Sequence, residues 1–181
     1  MSTTQEQVLI EKCRSGDSAA FGPLIQTYRR QLLSYLFRLS GERTQTEDLF
    51  QETLIKTWKG IKKYNEQQKF SSWLFAIAHN TAMDNLRKRK RDEAIADIEP
   101  DDLKSESNPH HEFVRQENKL MLEKAVRNLS SKQKEVFLLR IYSGMSFKEI
   151  SEITSESINT VLSHMNYSVK KIKRILGKEN E

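Results

Sequence analysis

The stretch SSWLFAIAHNTAMDNLRKRKR, Ser71 to Arg91, decides how the rest of the chain is read. Trp73, Leu74, Ile77, Ala78, Ala82 and Leu86 recur at three- and four-residue spacing, which gathers them on one face of a helix. Asn80, Asp84 and Asn85 interrupt the polar side, and Arg87, Lys88, Arg89, Lys90 and Arg91 close the segment. One or two cations in a last turn are favoured by the helix dipole. Five in succession repel one another and call for a polyanion, of which nucleic acid is the obvious candidate.

Outward from this segment, the chain has 181 residues, 36% of them hydrophobic and 30% charged, enough for one domain or two small ones. The net charge of +5 divides unevenly: +7 over residues 1–91, −5 over 92–127 and +3 over 128–181. Basic, acidic, basic suits two nucleic-acid-facing modules around an acidic connector, although scattered solvated charges give similar sums. A lone Cys13 excludes an intramolecular disulfide and a cysteine-rich zinc site, and reads as a small buried residue of the first helix. The N-terminus shows no basic start followed by an apolar run. No stretch approaches the roughly 20 apolar residues that span a bilayer. A cytoplasmic protein without membrane insertion is expected.

Helical periodicity dominates, and with six glycines and three prolines the sequence predicts an all-α fold. Helices are expected near 5–14, 18–40, 46–63, 71–91, 113–128, 131–143, 146–154 and 157–176. Asp17 can cap the second. Ser130 with Gln133, and Ser146 with Glu149, fit reciprocal capping boxes. Gly41 and Gly144 suit helix ends that need a left-handed backbone. Residues 92–112 carry Pro100, Pro109 and many acids, which predicts a flexible acidic linker. Two small helical domains follow, 1–91 and 113–181.

In the second domain, SFKEISEIT (Ser146–Thr154) reads as the first helix of a helix-turn-helix, with Phe147, Ile150 and Ile153 inward. Ser155 and Glu156 form the turn, Ser157 caps the next helix, and Ile158, Val161, Met165 and Ile172 supply its apolar face. The second helix of such a pair lies in the major groove. Its outward residues are Asn159, Thr160, Ser163, His164 and Tyr167, with Lys170, Lys171, Lys173 and Arg174 placed for phosphates. A plain helical hairpin would share much of this pattern.

In the first domain, Asp48 and Glu52 lie four apart and share a helix face. No third metal ligand stands nearby in sequence, so a basic partner or open solvent is the better reading. The stretch KKYNEQQKFSSW mixes cations, amides and aromatics, as single-strand binders do, yet Phe70 and Trp73 fit a core equally well. The polar loop Asn65, Glu66, Gln67, Gln68 and Lys69 suits an extruded base. His110 and His111 have no matching ligand set. No catalytic constellation, metal or cofactor is indicated.

Taken in order, these segments resemble bacterial sigma factors of the extracytoplasmic-function (ECF) group over nearly the whole chain. Residues 17–91, with DLFQETLIKTW and FSSWLFAIAHNTAMDNLRKRKR, look like sigma region 2. Residues 129–176 look like region 4, and no region 3 domain stands between them. The resemblance implies that Asp48, Leu49, Gln51 and Glu52 grip the β′ clamp helices of core RNA polymerase, whose β subunit is a further partner, and that region 4 recognises promoter duplex while held on polymerase. It implies that Asn65–Lys69 captures a base of the −10 element while Asn80 and its outward neighbours face the upstream part. The cations Arg87 to Arg91 go with that DNA. Ser157, Asn159, Thr160, Ser163, His164, Tyr167, Lys170 and Lys171 fall to the −35 element. Ala76 and Ile77 stand where housekeeping sigma factors carry a strand-separating tryptophan pair, which implies weaker melting and stricter promoter choice. Many relatives are held by an anti-sigma protein, so such a partner is possible here.

The chain departs from that pattern in its recognition helix. The family usually has basic residues at the positions of Leu162, His164, Tyr167 and Val169, a glycine at Ser155 and an apolar residue at Glu156. Each lost phosphate contact weakens binding and flattens its salt dependence. Two alternatives remain: a dimeric helix-turn-helix regulator, which lacks a heptad seam here, and an adaptor that holds polymerase without reading DNA.

Overall fold

The computed structural model describes residues 3–65, 69–95 and 122–177, and every regular element among them is helical. The chain divides into two compact units, Met1–Leu103 and Lys104–Glu181. The first holds α1 (Thr3–Arg14), α2 (Phe21–Ser40), α3 (Arg43–Gly60) and α4 (Phe70–Ile95), with single 3-10 turns at Ser18–Ala20 and Ile61–Lys63. In the second, residues 122–127 form the described part of α5, followed by α6 (Ser131–Ser143), α7 (Phe147–Thr154) and α8 (Ile158–Gly177).

The helix ends follow the expected chemistry. Asp17 accepts from the Ala19 amide at 2.9 Å. Both capping boxes are present. Gly41 and Gly144 close their helices at φ 78° and 69°, where a Cβ would be strained.

Several boundaries differ from expectation. Helix α3 spans Arg43–Gly60 rather than 46–63, and the 3-10 turn at Ser18–Ala20 stands where the start of α2 was predicted. Helix α4 runs on through Asp92 to Ile95, because Arg, Lys, Glu and Ala are good helix formers and adding a residue to an existing helix is cheap. The expected linker therefore loses its first residues to α4, and 96–112 lie outside the described residues, as do the histidines at 110 and 111 and the expected helix over 113–121.

Helix α3 packs on both α2 and α4. Its inner face is Thr46, Leu49, Thr53 and Thr57, all buried. Thr53 and Thr57 donate to the carbonyls of Leu49 and Thr53, each at 2.7 Å, so their hydroxyls are satisfied without a partner helix. Small residues on α4, Ala78 and Ala82, are fully buried in the same unit. Leu24, Leu32, Leu36, Leu74 and Phe75 fill the remaining core. Burying each such side chain is worth about 1.5–3 kcal/mol.

The apolar face of α4 is rotated from the expected one. Phe75 and His79 are buried, whereas Trp73 and Ile77 are half-exposed. His79 Nδ1 lies 3.0 Å from Tyr35 Oη, which gives both polar groups a partner inside the core. Trp73 caps the end of α4 against Tyr64, Phe70 and the bare backbone of Gly60, where a Cβ would lie 3.2 Å from the indole.

In the second unit α6 packs on α7 and α8, and α7 on α8. Val136, Leu138, Leu139, Met145, Ile150 and Val161 are buried together with Ala125 and Val126 of α5. Ser168, fully buried, donates to the carbonyls of His164 and Gln133 and supplies the small residue between α6 and α8. Ile158 is 45% exposed and does not join this core, in contrast to its expected inward place.

Candidate nucleic-acid and polymerase interfaces

Helix α3 turns a continuous stripe to solvent. Asp48, Gln51 and Glu52 are exposed at helical spacing, and Ile55, one turn further, is 54% exposed. Glu52 pairs with Lys56 at 2.8 Å, and Lys56 also donates to Thr81 on α4. Leu49 does not share the stripe. At 2% exposure it belongs to the core, and it positions α3 without offering a contact. Ile55 was missed in the sequence because an isolated isoleucine at helical spacing reads as core. An exposed apolar side chain beside two carboxylates is a surface suited to a basic, partly apolar partner.

Helix α4 presents Asn80, Asp84, Arg87 and Arg91 along one exposed face, with half-buried Ala76 and Ile77 on the same side. The loop expected to hold a base begins at Asn65 and returns at Lys69, both exposed. Glu66, Gln67 and Gln68 lie outside the described residues. The return is anchored where Trp73 N–H donates to the Lys69 carbonyl at 3.2 Å.

The cation run is not five equivalent charges. Arg87 pairs with Asp84 at 3.1 Å. Arg89 faces inward and donates to Gln45 of α3 at 3.1 Å, while Gln45 donates to Asn85 at 2.8 Å. Arg89 thus locks α4 to α3, a correction to its expected place among phosphate contacts. Lys88 and Arg91 remain exposed. The Lys90 side chain is outside the description.

On α8 the exposed face comprises Asn159, Thr160, Ser163, Asn166, Tyr167, Lys170, Lys173 and Arg174. Asn166 is an addition to the expected set, and Tyr167 stands 62% exposed at its centre. Ser157 Oγ accepts from the Thr160 amide at 3.1 Å and meets the Thr160 hydroxyl at 2.8 Å, so both residues serve first as the helix cap.

His164 and Lys171 lie on the flank instead. His164 turns toward Glu156, and Lys171 donates to the Asn128 carbonyl at the end of α5. Lys132 of α6 has its pKa raised: burial opposes its charge, but hydrogen bonds and charges from Glu135 and Glu156 outweigh that. Lys134 has its pKa lowered, by burial first and then by Arg127.

Among the described residues no three His, Cys, Asp or Glu side chains converge as a metal site. No helix there is long and apolar enough to cross a membrane.

The two units match two successive family regions. Residues 24–92 match Sigma-70 region 2 and residues 119–172 match Sigma-70 region 4. The chain belongs to the sigma-70 family, in its ECF group. The RNA polymerase sigma-H factor of Pseudomonas aeruginosa is 25% identical over 174 residues, covering 91% of this chain and 90% of that protein. The ECF RNA polymerase sigma-E factor of Haemophilus influenzae is 28% identical over 169 residues, covering 88% of this chain and 89% of that protein. Among solved structures, the fold resembles the sigma factor RpoE, crystallised with the anti-sigma factor NepR, from Bartonella quintana. The TM-score is 0.71 at 24% identity, over 87% of this chain and 96% of that one. The ECF assignment gives the exposed stripe of α3 and the outward faces of α4 and α8 a common context.

Proposed function

We propose that this ECF sigma factor binds core RNA polymerase through the α3 stripe and reads promoter DNA with α4 and α8. One observation carries the reading: a region 2 unit and a region 4 unit follow one another in a single chain, each with an exposed helix face suited to its task. Asp48, Gln51 and Glu52 grip the clamp helices of the β′ subunit, with Ile55 supplying apolar contact. Asn80, Lys88, Arg91 and the loop from Asn65 to Lys69 take the −10 element. Asn159, Ser163, Asn166 and Tyr167 face base edges of the −35 element, while Lys170, Lys173 and Arg174 contact phosphates. The protein performs no bond chemistry of its own, needs no cofactor and works in the cytoplasm.

An anti-sigma partner is part of this reading. Its support is that the similar sigma factor RpoE was crystallised in complex with an anti-sigma factor. The domain limits follow the same logic: 1–95, to the end of α4, for polymerase and −10 contacts, 96–112 as connector and 113–181 for the −35 element.

The test is charge reversal on α3. Asp48→Lys with Glu52→Lys should abolish binding to core polymerase and leave the helical circular dichroism unchanged, because both side chains are exposed. Undiminished affinity would discard the clamp assignment. Polymerase binding without discrete start sites on any promoter would favour the adaptor.

A further inference from the structure

Glu156 occupies the turn between α7 and α8, a position where the ECF resemblance leads one to expect an apolar side chain. Its carboxylate lies between two basic groups on two different helices. Oε1 is 3.3 Å from Lys132 Nζ at the start of α6, and Oε2 is 3.4 Å from His164 Nε2 on α8. Lys132 is also 3.2 Å from Glu135, which is buried. The Glu156 side chain is only 18% exposed, and Oε2 is buried without a hydrogen bond. A shielded carboxylate in such a place holds its basic neighbours more firmly than a surface pair does.

We propose that Glu156 sets the strength of the −35 contact by withholding Lys132 from the DNA backbone. This rests on the reading of α8 as the duplex-facing helix. The turn brings Glu156 to the start of that helix; His164 flanks its exposed face, and Lys132, half-exposed on α6, is tied to the same carboxylate. A cation already neutralised by a protein carboxylate releases no counterion from DNA, so it adds nothing to affinity or to salt dependence. The remaining phosphate contacts, from Lys170, Lys173 and Arg174, are then few. Region 4 is held weak, and promoter engagement depends on polymerase presenting both regions together. The raised pKa of Lys132 agrees with its being held as a cation by the two glutamates.

The test uses the full chain and a fluorescent duplex of mixed sequence, titrated over a range of salt concentrations. Glu156→Gln keeps the shape of the side chain and removes one of the two carboxylates that hold Lys132. It should tighten binding about threefold to tenfold and steepen the log–log salt slope by about one. Lys132→Gln alone should leave binding unchanged, because that charge is already spent on Glu135 and Glu156. Lys132→Gln added to Glu156→Gln should take back most of the gain.

Glu152→Gln, on an exposed glutamate of α7, changes the net charge equally and should leave the slope at its original value. Equal effects of the Glu152 and Glu156 substitutions would overturn the proposal, since only net charge would matter. So would weaker binding by Lys132→Gln alone, a measurement that does not depend on the Glu156 variant folding. Absence of duplex binding by every variant at low salt, with polymerase-dependent initiation intact, would instead remove α8 as a duplex reader and the proposal with it.

Discussion

Ser155 holds a left-handed backbone, φ 55°, the only non-glycine residue with positive φ among those described. It ends α7, and its backbone N–H donates to the Ser151 carbonyl. A side chain in this region costs about 1–3 kcal/mol, part of which glycine would recover before its own entropic cost. Ser155→Gly should therefore stabilise the second unit by about 0.5–1 kcal/mol, read as a higher midpoint in thermal unfolding. A lower midpoint would show that the serine side chain contributes more than the strain removes. The resemblance had marked this turn as unusual, and the backbone gives that a physical meaning. Leu49 shows the opposite case. Its place in an acidic motif suggested contact, but motif membership cannot say which way a side chain points. Only the packing of α3 against two helices does.

Pairs of elements carry information that single residues lack. On α2, Tyr28 donates its hydroxyl to Glu6 of α1 and leans on Phe70 of α4. Burial, the hydrogen bond to Glu6 and the nearby negative charge all push its pKa above the ordinary 10.0. Cys13, also on α1, is raised above 9.0 by burial and then by Asp17. Both groups bind protons more tightly folded than unfolded. Their contribution is complete below the unfolded pKa values and is lost as pH rises through the folded ones. The α1–α2 contact should weaken from about pH 9 upward. Tyr28→Phe should be less stable than the parent at neutral pH, yet lose less on going to pH 11, in thermal unfolding followed across that range. Parallel losses in both proteins would show that the tyrosine ionises as readily in the folded chain as in the unfolded one.

The elements themselves were largely legible in the sequence, because caps such as Ser130, Ser146 and Gly144 act locally. The inner face of α3 was not. Thr53 and Thr57 hide their hydroxyls on their own helix, so hydropathy alone gives no sign that they are buried. Arg89 was misplaced for a related reason: its partner Gln45 lies 44 positions away.

At the scale of the whole molecule, the basic, acidic, basic layout first suggested two independent nucleic-acid binders, and the geometry weakens that independence. Of the run from Arg87 to Arg91, Arg87 is paired and Arg89 turned inward, leaving Lys88 and Arg91 as exposed cations of described placement. On α8 the flanking Lys171 closes the end of α5. Each unit thus offers few phosphate contacts, and few contacts make for weak binding with a shallow salt dependence. Binding through two weak modules gains from being held together, because the second contact then becomes intramolecular. Core polymerase supplies that scaffold. The chain alone should give no discrete footprint on promoter fragments at physiological salt. With core polymerase, transcripts from genomic fragments should begin at discrete sites that share two upstream elements. A clear footprint without polymerase would return a self-sufficient regulator to first place, since the exposed cations would then suffice by themselves.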